Sequence, residues 1–225
     1  IIFNEELIYT GLQGPNVSGS LGILTPPVVI FNYHNTIEGG QNSRILDFSY
    51  LNYIGQGSNH TIRSYFFPQR YGIGNPGCFG KTLYFKAAHR NFIGSGRCNN
   101  VLGASFSGIV AGDRNTIEFD EPGKGNESKS FIGAGCCNVI AESVEAFIGS
   151  GCCNLATNYS AVAGGRFNRA SCDGTFIGAG VNNCNKNENG VIGGGFANTL
   201  ANGYSIRTEN VIGGGRCNRI HGNCQ

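Results

Sequence analysis

The chain has 225 residues, with 37 Gly, only 6 Pro and a formal net charge of +2. Gly without a three-residue period and with so little Pro excludes collagen, and near-neutrality gives no reason to expect nucleic acid or an anionic membrane as partner. Charged residues make up 13%, well below the usual share, while an apolar fraction of 40% excludes a disordered low-complexity chain. No apolar run reaches the roughly 18 residues of a membrane-spanning helix, and no charged start leads into a signal-type apolar stretch. With no Met anywhere, the chain is expected to be a processed form or a fragment.

Residues 1–35 lack any repeat, and "GLQGPNVSGSLGILTPPVV" reads as an extended N-terminal cap or joining segment. From residue 36 to 225 one pattern returns. Weak copies start at Ile37 and Ile54, with a fainter one at Ile73. The first two keep a Gly three residues on (Gly40, Gly57) but carry Asn one place early (Asn42, Asn59). Strong copies follow, with the core aliphatic at Ile93, Ile109, Ile132, Ile148, Val162, Ile177, Ile192 and Ile212. Their spacings are 16, 23, 16, 14, 15, 15 and 20. "FIGAGCCN" (Phe131 to Asn138) and "FIGSGCCN" (Phe147 to Asn154) are the most alike.

Each strong copy has Gly three places after the aliphatic. Six places after it comes Asn: Asn99, Asn115, Asn138, Asn154, Asn168, Asn183, Asn198 and Asn218. Eight places after, the chain is usually aliphatic again (Val101, Ile117, Ile140, Leu200, Ile220), with Ala156, Ala170 and Asn185 departing. A period near 15 is too short for a helical hairpin but suits two short strands and two tight turns. Aliphatic and aromatic residues favour the strands, and Gly and Asn tolerate the corners. A single coil cannot bury its own face, whereas stacked coils share one core. The fold class expected is all-β: a parallel β-helix or β-roll solenoid of about 14–16-residue coils. Eleven coils at strand spacing would extend roughly 50 Å. Asn at a fixed position would form a hydrogen-bonded ladder, and insertions should leave at corners, near residues 63–91, 118–130 and 201–210.

Neighbouring residues on a strand point to opposite faces. The core aliphatic and the residue before it (Phe92, Phe131, Phe147, Phe176, Val191 or Val211) therefore cannot both line the coil. Such a row left in water would be an apolar patch rare in monomers. A second buried face at an interface between chains is the expectation, with cover by the chain's own insertions as the alternative.

The segments "ENVIGGG" (Glu209 to Gly215), "ENGVIGGG" (Glu188 to Gly195), "SKSFIGAG" (Ser128 to Gly135) and "YSAVAGG" (Tyr159 to Gly165) resemble the head repeats of trimeric autotransporter adhesins. Related repeats occur in phage and giant-virus fibres. The resemblance covers roughly residues 35–225. It implies a homotrimer of left-handed parallel β-rolls, with one strand face in the coil, the other at the trimer axis, and a role in adhesion. The chain has no neck-like segment and no heptads, and it carries more Cys than such heads.

Of ten Cys, Cys98, Cys137, Cys153 and Cys217 share the place five after the aliphatic, and Cys136 and Cys152 the place before it. Stacked coils would bring equivalent Cα atoms within disulfide range. Cys137 with Cys153, or Cys136 with Cys152, is a candidate staple. The alternative, a ladder of reduced or partly oxidised thiols, is favoured because Phe167, Asn182 and Ala197 replace Cys in intervening coils. Zinc has no CxxC pair to bind. "GKT" at Gly80–Thr82 lacks the Gly a phosphate loop needs, since that place is Asn75. Calcium repeats would need a regular Asp. Glu118, Asp120 and Glu121 read as a solvated loop, His34, His60, His89 and His221 share no spacing, and four sequons (Asn16, Asn59, Asn126, Asn158) would matter only on a secretory route.

The functional expectation is a structural attachment protein, not an enzyme: a homotrimeric fibre or adhesin head, extracellular, on a cell or virion surface. It would present loops to a glycan or protein receptor. Catalytic, cofactor and metal sites, nucleic acid and direct membrane insertion are not expected. A purely structural fibre or capsid component is the first alternative. A tailspike-like glycan-cleaving enzyme is the second, and would need paired carboxylates in the coils.

Overall fold

The computed structural model describes residues 35–38, 41–46, 51–63, 65–72, 79–86, 90–119, 128–201 and 209–221. Among them the only regular structure is β. Two ten-stranded parallel sheets run the length of a solenoid. The first takes one short strand from each coil, from Thr36–Ile37 through Phe131–Ile132 to Val211–Ile212. The second takes the following strand, from Arg44–Leu46 through Val139–Ala141 to Arg219–His221. Between the two, one residue per coil bridges its equivalents above and below, as in the run Asp113, Cys136, Cys152 and Arg166. Ten stacked coils leave nine spacings of about 4.8 Å, a ladder roughly 43 Å long.

The stacking is in register throughout. Ile109 pairs with Ile132, Ile132 with Ile148, and Ile148 with Val162. On the other sheet Ile117, Ile140, Ala156 and Ala170 stack in turn. These two aliphatic rows are the core, and all eight of these side chains are fully or almost fully buried. Each buried Ile contributes about 1.5–3 kcal/mol relative to exposure. The departures at Ala156, Ala170 and Asn185 stay inside as well. Asn185 is accommodated because its Nδ2 donates to the Gly190 carbonyl at 2.7 Å and its Oδ1 accepts the Asn187 N–H at 3.1 Å.

The corner between the two strands of a coil has one length everywhere. Gly135, three residues after Ile132, has φ of +102°, and a Cβ there would lie 2.0 Å from the carbonyl oxygen of Gly151 in the next coil. Only Gly combines that dihedral with so close a backbone approach. Two residues on, the chain is left-handed again, at Cys98, Arg114, Cys137, Cys153 and Phe167 among others. Next comes the Asn row. The Asn138 N–H donates to Asn115 Oδ1 at 3.0 Å, and the Asn154 N–H to Asn138 Oδ1 at 3.1 Å. Asn138 Nδ2 also donates to the Ala134 carbonyl of its own coil and the Gly151 carbonyl of the next. The same pattern runs from Asn99 to Asn218.

The opposite corner, from the second strand to the next coil, varies in length. Residues 65–72 and 79–86 leave the stack here as an antiparallel hairpin. Residues 120–127 and 202–208, which lie outside the described residues, fall in sequence between the second strand of one coil and the first strand of the next. Phe119, at the root of the former, is fully buried, as is Ser128 where the chain returns. The cap assigned to residues 1–35 lies outside the described residues except for Asn35.

Two expectations change in detail. Among the described residues the coils number ten rather than eleven, because Tyr53–Ile54 pairs directly with Phe92–Ile93 and leaves no rung between them. Ile73 itself lies outside the described residues. In the two weak copies, Asn42 and Asn59 occupy the left-handed corner, a conformation Asn adopts more readily than most residues. The ladder position passes to Ser43 and His60.

Gly135→Ala is expected to lower stability by about 2–4 kcal/mol, measured by urea unfolding. Gly213→Ala, at a site with nothing within 4 Å of the added Cβ, should change it by less than about 0.5 kcal/mol.

Candidate functional site

Two surface rows concentrate unusual side chains. The first is the outer face of the first sheet. Because strand parity sends Ile132 and Ile148 inward, Phe131 and Phe147 point out, 39% and 43% exposed against 0% for their neighbours. The row reads Tyr53, Phe92, Gly108, Phe131, Phe147, Ala161, Phe176, Val191 and Val211. The Tyr53 and Phe92 rings stack with centroids 5.4 Å apart, and Phe131 and Phe147 with centroids 6.0 Å apart. Gly108 and Ala161 leave two gaps in an otherwise continuous apolar stripe. Val211, on the last coil, is 63% exposed.

The second row lies at the fixed corner. Cys136 and Cys152 are bridge partners, with their sulfurs 3.0 Å apart, and the sulfurs of Cys152 and Cys153 are 3.3 Å apart. All eight described cysteines are free thiols. Donation to the Cys152 sulfur pushes the Cys136 and Cys153 thiols up to about 11. The same hydrogen bonds, that from Cys136 first, lower Cys152, and the charge of Arg166 adds to them. Cys137 and Cys153 occupy left-handed corners.

One rung earlier, Arg97 and Arg114 both hold Asp113, each at 3.0 Å. The Arg97 hydrogen bond leads in holding the Asp113 carboxyl down at about 2. That carboxylate is consumed by its partners. Glu118, expected in a loop, is the last residue of the second sheet's strand Thr116–Glu118, paired with Leu102 and Ala141, whereas Asp120 and Glu121 lie outside the described residues, as do His34 and His89. Among the described residues, no group of three or more His, Cys, Asp or Glu is placed to hold a metal ion.

A second polar ladder, not evident in the sequence, runs two residues before the core aliphatic. Asn52 Oδ1 accepts the Asn91 N–H at 3.0 Å, and Asn91 Oδ1 accepts the Ser107 N–H at 3.0 Å. Ser107 Oγ then accepts from Ser130, and Ser130 Oγ from Ala146, both at 3.2 Å. The only signal in the sequence is a small or amide residue two places ahead of each Ile.

His60 substitutes for Asn in the main ladder. It is fully buried, and its Nδ1 accepts the Asn99 N–H at 3.3 Å. Its Nε2 faces the Gln56 and Gly96 carbonyls, the two positions an Asn amide would serve, yet makes no hydrogen bond. Burial lowers its pKa.

No protein-family model and no curated protein matches the chain.

His60 is neutral in the fold, whereas the unfolded chain protonates near pH 6.5. Its contribution is therefore complete above that pH and is lost as pH falls toward the lowered folded value. Thermal midpoints measured from pH 7.5 down to 5 should fall for the wild type. His60→Asn should remove the part of that fall due to this residue.

Proposed function

We propose that the chain forms the solenoid of a homotrimeric surface fibre or adhesin head, of the kind its repeats resemble. It would act outside the cell or on a virion as an attachment protein. The observation that carries this reading is the in-register row of outward aromatic and aliphatic side chains. The coil interior is already filled by Ile, so among the described residues these rings have no place inside the coil.

Magnitudes support the idea. A Phe presents about 200 Å², so covering the remaining two-fifths of one ring is worth about 2 kcal/mol at 25 cal/mol per Å². Four Phe rungs then supply about 8 kcal/mol, within the range that association costs. An axis parallel to the stack would bring each rung against its own copies.

Attachment would fall to the variable corner. The hairpin of residues 65–72 and 79–86 leaves there, so threefold symmetry would display it three times and multiply weak contacts. A non-enzymatic role is supported by Asp113, the carboxylate nearest the regular corner, being tied to two arginines. The second reading, a structural fibre component without a receptor, is favoured by the uniformity of the coils themselves.

Light scattering should give the mass of three chains for the wild type, and one chain for Phe131→Glu/Phe147→Glu with β circular dichroism retained. A monomeric wild type would overturn the trimer. Replacing residues 65–86 with a short Gly-Ser link should abolish adhesion to target cells while leaving the assembly intact. Unchanged adhesion would remove the hairpin from the binding surface.

A further inference from the structure

The corner row Asp113, Cys136, Cys152 and Arg166 places two thiols on adjacent rungs between an anion and a cation. We propose that Cys136 and Cys152 form an oxidation-dependent disulfide that locks two neighbouring coils in the middle of the solenoid. The inference rests on the ladder within one chain and stands whether or not the solenoid is threefold.

Three observations meet here. Bridge partners on a parallel ladder lie about 4.8 Å apart, inside the Cα range a disulfide spans. The two side chains already turn toward each other, with Sγ atoms 3.0 Å apart. Both residues are half-buried rather than sealed in the core, so a small reagent reaches them. The alternatives fit less well. Cys152 and Cys153 are sequence neighbours, and a bridge between them would close a very small ring. Cys98 and Cys217 have Arg114 and Ala197 as the nearest residues of their column, so neither has a thiol on an adjacent rung.

The oxidant is a low-molecular-weight disulfide. The Cys152 thiolate, formed next to the Arg166 cation, attacks one sulfur of that reagent, leaving a mixed disulfide and one released thiolate. The Cys136 thiolate then attacks Cys152 Sγ and expels the second thiolate. The two protons lost from the protein pass to the two released thiolates. Two protein thiols and one disulfide thus become one protein disulfide and two small thiols. The new bond closes a loop with a sequence separation of 16. A loop of that size constrains the unfolded chain substantially.

The test uses the whole chain, prepared with reductant and then incubated with oxidised glutathione. After alkylation, the intact mass should show two fewer alkyl groups than the fully reduced control. A Glu-specific protease cuts at Glu142 and Glu145, between the two cysteine pairs, and should release two peptides joined by the disulfide. Cys137→Ser/Cys153→Ser should still form the link, and Cys136→Ser should not. Oxidation should raise the thermal midpoint of the double variant by about 5–10 °C, reversibly with reductant. A stable glutathione adduct, a link that survives Cys136→Ser, or a link between chains would each overturn the assignment. A Cys136→Ser chain that fails to fold leaves the mapping in the double variant to decide it.

Discussion

Everything in this solenoid depends on backbones that touch at the fixed corner. A glycine carbonyl occupies the space a Cβ would need on the coil before it, and the asparagine three residues later supplies the hydrogen bonds that such a tight corner cannot make with itself. Burying those amides costs little because each is fully used: one oxygen accepts from the next coil, and the NH₂ group serves carbonyls of two coils. The glycine permits the approach and the asparagine satisfies what the approach buries. With that corner constant, the Ile rows fall into register automatically.

Stability in such an array is a sum of coil terms and neighbour terms, and the neighbour terms here dominate. A two-residue strand has almost nothing to hold it alone. It gains its partners only when the rung above and the rung below are both present. The same logic explains the scarcity of charge. A carboxylate on one rung meets the equivalent residue of the next, and Asp113 persists because Arg97 lies above it in the bridge row and Arg114 beside it.

Much of this was legible in the sequence because the constraint repeats at fixed offsets. Gly at three, Asn at six and an aliphatic at eight gave the coil, and strand parity alone separated Phe131 from Ile132. The parts that were not legible are those where the physical demand is looser than residue identity. The second ladder needs only an oxygen acceptor of small size, so Asn91, Ser107 and Ser130 all serve and the pattern dissolves. His60 filled an Asn position by presenting one nitrogen as acceptor. The left-handed cysteines gave no signal because Cys has no preference for that conformation. The faint copy at Ile73 corresponds to no rung among the described residues, because Tyr53–Ile54 pairs directly with Phe92–Ile93.

The asparagine ladder also has a direction. Every main-chain N–H in it donates to the side-chain oxygen of the coil before, from Asn115 through Asn218, and none the other way. Aligned amide dipoles of this kind polarise one another. The side-chain NH₂ groups of the row donate the opposite way, to the glycine carbonyl of the next coil, so each rung is held from both sides. The two sides of each rung are therefore unlike: its N–H reaches the coil before, and its side-chain oxygen serves the coil after. A stack built this way has a head and a tail written into its interior, independent of any loop displayed on its surface.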